Sequence, residues 1–209
     1  PAALRTDLLR EHVARLLAGE AVRTARYDFL TGMSHEAGGR ALSVPPGHLL
    51  LVEGIHGLNP SLFAGVIPES AVFRIFVHPA TTLPFDRLAH LAPADVRLVR
   101  RIVRDRHHRG FAAAETIRRW PSVRRGERVH IFPYLVHADA VFDSALVYEL
   151  SVLKVFAEQY LLEVDQGDPV YGTAYRLRHL LDRFVALHPD HVPPTSILRE
   201  FIGGSGFEY

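Results

Sequence analysis

His48-Leu49-Leu50-Leu51-Val52-Glu53-Gly54 is the stretch on which the reading of the fold turns. An unbroken apolar run enters from Pro45-Pro46-Gly47 and ends at an acid followed by glycine. Such a run, bounded by turn residues, is the pattern of a strand covered on both faces, as in a parallel sheet. Val72 to Val77 and Ala140-Val141-Phe142 read as further strands of the same kind. Ala21 to Phe29 is compatible with a short extended segment, and the glycines at 32, 38 and 39 with a loop. Helical periodicity covers Ala3 to Leu17, Pro93 to His107, Ser144 to Leu162 and Ala174 to Leu187, and Asn59-Pro60 marks a helix start. Gly203-Gly204-Ser205-Gly206 reads as a flexible end. Strands alternating with helices predict an α/β fold with a mostly parallel sheet and flanking helices. The expected organisation is one domain over residues 1–209, with a helical lid at about 93–132 and a C-terminal helical extension at about 144–209.

Composition narrows the function classes. A chain of 209 residues with 48% hydrophobic and 22% charged residues is that of an ordinary globular protein, which excludes disorder and collagen-like structure. The absence of cysteine removes disulfides, thiolate zinc sites and thiol catalysis. No apolar run approaches the ~20 residues of a membrane helix. A cytoplasmic location without a membrane partner is the expectation. A net charge of +1 gives no global field for a polyanion. Locally the balance differs: eleven arginines stand between Arg97 and Arg128 against Asp105, Glu115 and Glu127.

Three constellations can carry chemistry. Glu53 follows an apolar run, at the end of a strand where open α/β sheets place their ligands. A carboxylate there can hold Mg²⁺ beside nucleotide phosphates, directly or through water. On a helix, Arg97, Arg100, Arg101 and Arg104 share one face, while Leu98, Val99, Ile102 and Val103 occupy the other. Asp105 alone cannot neutralise that stripe, and with Arg106 and Arg109 it predicts a polyanion site, either a phosphate clamp or a nucleic-acid surface. Tyr27-Asp28-Phe29 offers an aromatic plate beside a carboxylate, or else a core tyrosine at a strand end. The thirteen histidines show no H-E-x-x-H spacing, and no G-x-S-x-G elbow supports a serine nucleophile.

The order of these pieces resembles the uridine kinase and phosphoribulokinase family. Tyr27-Asp28-Phe29, Val52-Glu53-Gly54-Ile55, Arg100-Arg101-Ile102-Val103-Arg104-Asp105 with Arg109-Gly110, and His137-Ala138-Asp139-Ala140-Val141-Phe142 carry the resemblance. It is closest to a bacterial uridine-kinase-like branch. That branch shares Leu16-Leu17-Ala18-Gly19-Glu20, Glu53 to Pro60, Arg118 to Glu127 and Pro193 to Gly204. The resemblance implies a P-loop NTPase-like fold and transfer of the γ-phosphate of ATP, with Mg²⁺, to a hydroxyl of a nucleoside-like small molecule. By position it makes Glu53 the carboxylate near the metal and Arg101, Arg104 and Arg109 the catalytic lid arginines that grip phosphates. Tyr27 and Asp28 fall on the acceptor, and Asp139 on the adenine side of the cofactor.

The departures are equally specific. The 209 residues contain no G-x-x-x-x-G-K-[ST]. In the family that loop and the next strand, with its catalytic aspartate, come before the point matching Pro1, so the reading expects an N-terminally truncated chain, inactive alone. The histidine that nucleoside-specific members place after Tyr-Asp-Phe is Gly32 here, and Phe111 stands where they carry a further substrate arginine. The edge left by an absent strand would favour homo-oligomers. Two other readings stand beside the kinase: a nucleic-acid-binding module using Arg97 to Arg128, and a non-catalytic regulatory domain of the same fold.

Overall fold

The computed structural model describes residues 5–28, 33–80 and 91–207. Phe29 and Gly32, named above, lie outside them. The chain forms two compact units: Pro1–Phe76 with Val129–Ala140, and Val77–Arg128 with Val141–Tyr209.

In the first unit, α1 (Thr6–Leu17) buries Val13 and Leu16 and stops at Gly19, whose φ of 82° places it in the left-handed region. Val13 packs with Leu62 and Phe63, flanked by Leu9, Leu50, Val66 and Ile67. Strand β1 (Val22–Arg23) pairs antiparallel with β4 (Ala41–Leu42), and β2 (Arg26–Asp28) with β3 (Met33–His35). Part of the stretch read as a glycine-rich loop is thus strand β3. Gly39 is required where these ribbons meet: a Cβ there would stand 2.2 Å from Thr24 Oγ1. Asn59 accepts from the Ser61 amide at 3.0 Å and caps a single 3-10 turn, Pro60–Leu62, where a helix was expected to start.

Strands β5 (Ile75–His78) and β6 (Ala140–Asp143) form a two-stranded sheet. The Ala140 amide donates to Arg74 C=O and the Ser144 amide to His78 C=O, so the strands run in the same direction. Among the described residues this is the one parallel pair, and the expectation of a mostly parallel sheet is corrected to an α/β arrangement with a small parallel sheet. The run 48–52 is the main departure. It forms no strand, and Leu49 and Leu51 are 97% and 87% exposed. An apolar segment becomes a buried strand only when neighbours take its backbone hydrogen bonds and cover its faces. Among the described residues none pairs with it.

The second unit is a helical assembly. Helix α2 (Pro93–Arg109) begins with proline in its first turn and ends at Gly110, φ 69°. It is followed by α3 (Ala113–His130), whose final residues belong to the first unit, then α4 (Glu149–Leu162), α5 (Tyr171–Leu181) and the short α6 (Arg199–Ile202). Leu98, Val99, Ile102 and Val103 of α2 interlock with Leu150, Leu153, Ala157 and Leu161 of α4 and with Leu177, Leu198 and Phe201 in one continuous core. The long C-terminal helix starts at Glu149 rather than near Ser144, because the Ser144 carbonyl is engaged by Arg100 at 2.7 Å. The glycine-rich end is tied down: the Gly206 amide donates to Pro194 C=O at 2.9 Å. Among the described residues no helix is long and apolar enough to cross a membrane.

Candidate functional site

The arginine helix folds as its pattern predicts and then uses its charges unexpectedly. Its apolar face is buried; its arginines meet carboxylates delivered by other parts of the second unit. Arg97 donates to Glu127, which also accepts from Arg124 at 2.7 Å. Buried Arg100 donates through Nε to buried Glu149 at 2.5 Å and lies over the Phe201 ring, 5.3 Å from its centroid. Arg104 reaches Glu200 at 3.2 Å, and Arg106 reaches Glu163 at 2.9 Å. Arg118 pairs with Asp168, and Arg119 with Glu115 at 2.6 Å. The premise that the stripe needs an outside anion is therefore corrected: Glu127, Glu149 and Glu200, remote in sequence, supply what Asp105 alone cannot. Arg125 and Arg128 are the members of the stretch for which no carboxylate partner is found among the described residues.

Of the candidate phosphate arginines, two are brought together. Arg101 donates through Nε to Asp105 Oδ2 at 3.2 Å, and Arg109 through Nη1 to Asp105 Oδ1 at 3.0 Å. Each is held by one nitrogen, which leaves the other N–H groups of both guanidiniums for an anion. Arg104 is partly exposed and faces the C-terminal helix α6. Helix α2 is packed into the core of its unit, with Val99 and Val103 fully buried.

The remaining candidates lie in the first unit. Glu53 is exposed on the irregular segment after Val52. Tyr27 stands on β2 opposite Ser34 and is 52% exposed, so it is no core tyrosine. Asp28 follows it, opposite Met33. Asp139 precedes β6, and its Oδ2 accepts from the Arg74 amide at 2.6 Å, so that carboxylate clasps the two parallel strands. Arg74 in turn donates to Glu69 at 2.7 and 3.0 Å, and this hydrogen bond holds the Glu69 carboxyl below its ordinary range. In the second unit, burial pushes His78 and His107 below the ordinary imidazole value.

The chemistry of the donor set can be tested against a divalent cation. Among the described residues no group of three or more His, Asp or Glu side chains could enclose one. Glu53 is an oxygen donor open to water, which suits Mg²⁺, an ion that keeps most of its waters and takes one or two carboxylates plus substrate phosphates. Asp105, Glu127 and Glu149 were the functional groups that sequence reasoning undervalued. For Asp105 a signal existed: it lies four residues after Arg101 and four before Arg109. For Glu127 the nearby Arg124, three residues before it, was a local signal, but its pairing with Arg97 across 30 residues had none, and neither did the pairing of Glu149 with Arg100 across 49.

Comparison with known proteins adds an independent line. The sequence pattern of the Phosphoribulokinase / Uridine kinase family matches residues 1–151. A protein named uridine kinase from Deinococcus deserti is 30% identical over 120 residues, 57% of this chain and 48% of that protein. Another uridine kinase, from Halalkalibacterium halodurans, is 27% identical over 162 residues, 75% of this chain and 67% of that protein. One from Bacillus pumilus is 28% identical over 125 residues, 60% of this chain and 50% of that protein. The matched region spans from about half to two thirds of the length of these relatives. No solved structure gives a significant match.

Proposed function

The chain belongs to the phosphoribulokinase and uridine kinase family, and from that premise we propose that the protein is an ATP-dependent kinase that transfers the γ-phosphate to a hydroxyl of a nucleoside-like small molecule. The family match over residues 1–151 is the observation that carries the reading. The arrangement at Asp105 supports it.

In phosphoryl transfer, catalysis is mostly positioning and neutralisation of charge on the transferred oxygens. Arg101 and Arg109, anchored on one carboxylate, keep planar donor edges for phosphate oxygens. Arg104 adds a third cation one turn along α2 from Arg101. Because α2 is wedged into its core, these groups pay little ordering entropy when an anion arrives. Bound magnesium would supply positive charge to offset that of the phosphates. Glu53 would hold that ion's water shell through its exposed carboxylate. Tyr27 offers a ring face and Asp28 an acceptor for the hydroxyl-bearing substrate, and Asp139 stands on the adenine side. Gly32 and Phe111, in place of a histidine and an arginine, leave fewer polar groups for a nucleoside than the resemblance leads one to expect.

The test is transfer of radiolabelled γ-phosphate from ATP to a panel of nucleosides and other small polyols by the full-length protein, with and without Mg²⁺. Magnesium-dependent labelling of one acceptor is expected. Arg101→Ala and Arg109→Ala should each lower kcat/KM for ATP by about 10²–10³-fold, the cost of removing one donor to a developing charge. Hydrolysis or binding of ATP with no hydroxyl acceptor labelled would overturn the reading.

A further inference from the structure

We propose that Asp105 is the positioning residue of this site, a buried carboxylate that brings two phosphate-contacting arginines to one locus. The inference rests on the kinase reading above.

Arg101 and Arg109 leave the same helix eight residues apart, about 12 Å along its axis at 1.5 Å per residue. Left to themselves, two guanidiniums so placed repel and extend in separate directions. Asp105 lies midway and is wholly buried. Its Oδ2 accepts from Arg101 Nε and from Thr116 Oγ1, both at 3.2 Å. Its Oδ1 accepts from Arg109 Nη1 at 3.0 Å. A carboxylate taken out of water is tolerated only when its lone pairs are filled by donors and its charge is matched, and these three donors do both. The residue also organises the turn after the helix: its backbone carbonyl accepts from the Gly110 and Phe111 amides. Thr116 comes from α3, so the carboxylate is itself oriented by the next helix. Pulling from the midpoint, one fixed negative charge sets the position of both cations and occupies a single nitrogen of each.

Asp105 touches no substrate in this account. It acts through Arg101 and Arg109, and its removal should be felt only while they are present. The experiment is a mutant cycle in the full-length protein, reading kcat and KM for ATP together with the thermal midpoint. Asp105→Asn keeps the shape and removes the charge; it should lower kcat/KM about 10²-fold, the scale of a misplaced catalytic group, mostly through kcat. On an Arg101→Ala, Arg109→Ala background the same change should cost less than about twofold further, because the groups it positions are gone. Thr116→Val, which removes one neutral donor, should lower kcat/KM several-fold and show the same loss of effect on that background; it carries the test should Asp105→Asn fail to fold. A folded Asp105→Asn or Thr116→Val protein with unchanged kinetics, or with losses that multiply on the double-alanine background, overturns the inference while leaving the kinase reading intact. If the arginine substitutions themselves change nothing, the kinase role of those arginines fails, and the positioning role with it.

Discussion

Residues 48–55 and helix α2 exchange the roles their compositions suggest. The first contains the unbroken apolar run Leu49-Leu50-Leu51-Val52, and its Leu49 and Leu51 stand almost wholly in solvent. The second carries six arginines in seventeen residues, and its Val99 and Val103 are fully buried. Apolarity supplies a driving force for burial, but a partner surface decides whether it is realised. Helix α2 has partners on α4, α5 and α6 for its apolar face and carboxylates for most of its cations. The 48–55 segment contributes only Leu50 to the small core of its unit. The difference teaches that charge pattern and burial are compatible when oppositely charged groups arrive from elsewhere in the same fold.

The contrast can be attacked at its strongest point first. Glu149→Ala strands buried Arg100 without its carboxylate, and unfolding free energy in urea should fall by about 3–5 kcal/mol. Ile102→Ala on the buried face of α2 should cost about 2–5 kcal/mol. Leu51→Ala should stay within about 0.5 kcal/mol, as at an exposed position. A Leu51→Ala loss as large as that at Ile102, measured in the full-length protein, would break the comparison by showing that the segment is covered there.

Salt dependence sharpens the charge side of the comparison. Carboxylates engage most of the stretch, so among the described residues Arg125 and Arg128, with the donor edges that Arg101 and Arg109 keep, are what it offers to phosphates of a nucleic acid. Any affinity for duplex RNA should then vary with salt with a log–log slope no steeper than about −4. A slope near −6 would revive the nucleic-acid module.

The smallest effect concerns pH. Burial holds the folded-state values of His78 and His107 below their unfolded value of about 6.5. Both are neutral in the folded protein, so their contribution is complete above pH 6.5 and is lost as pH falls from there through the folded values. His107→Phe, which keeps a ring against Phe156 and Tyr160, should flatten the stability profile in that acidic window without moving it at pH 8.

Much of this was legible in the residues. The alternation of arginines with Leu98, Val99, Ile102 and Val103 set out helix α2 to within two residues of its end, and the order of motifs pointed to the family that the comparisons bear out. Strand β6 was expected over Ala140 to Phe142 and runs one residue further. Helix α3 escaped notice because Pro121 and Gly126 interrupt it, residues that ordinarily end helices and here are overridden by packing of Ile117 and Trp120 against the core. In the candidate site the identities of Arg101, Arg104 and Arg109 were readable, and so was the spacing that sets Asp105 beside Arg101 and Arg109, but the engagement of Arg104 with Glu200 was not.

The line between the two kinds of knowledge follows sequence separation. Groups within about one helical turn of each other, such as Asp105 with Arg101 and Arg109, are neighbours as soon as the helix forms, and the residues alone determine that proximity. The pairing of Arg100 with Glu149 across 49 residues and of Arg104 with Glu200 across 96 depends on how helices pack, and so does the exposure of Leu49 and Leu51. Only the tertiary structure decides these, because closing such loops costs an entropy that nothing local repays until the core assembles.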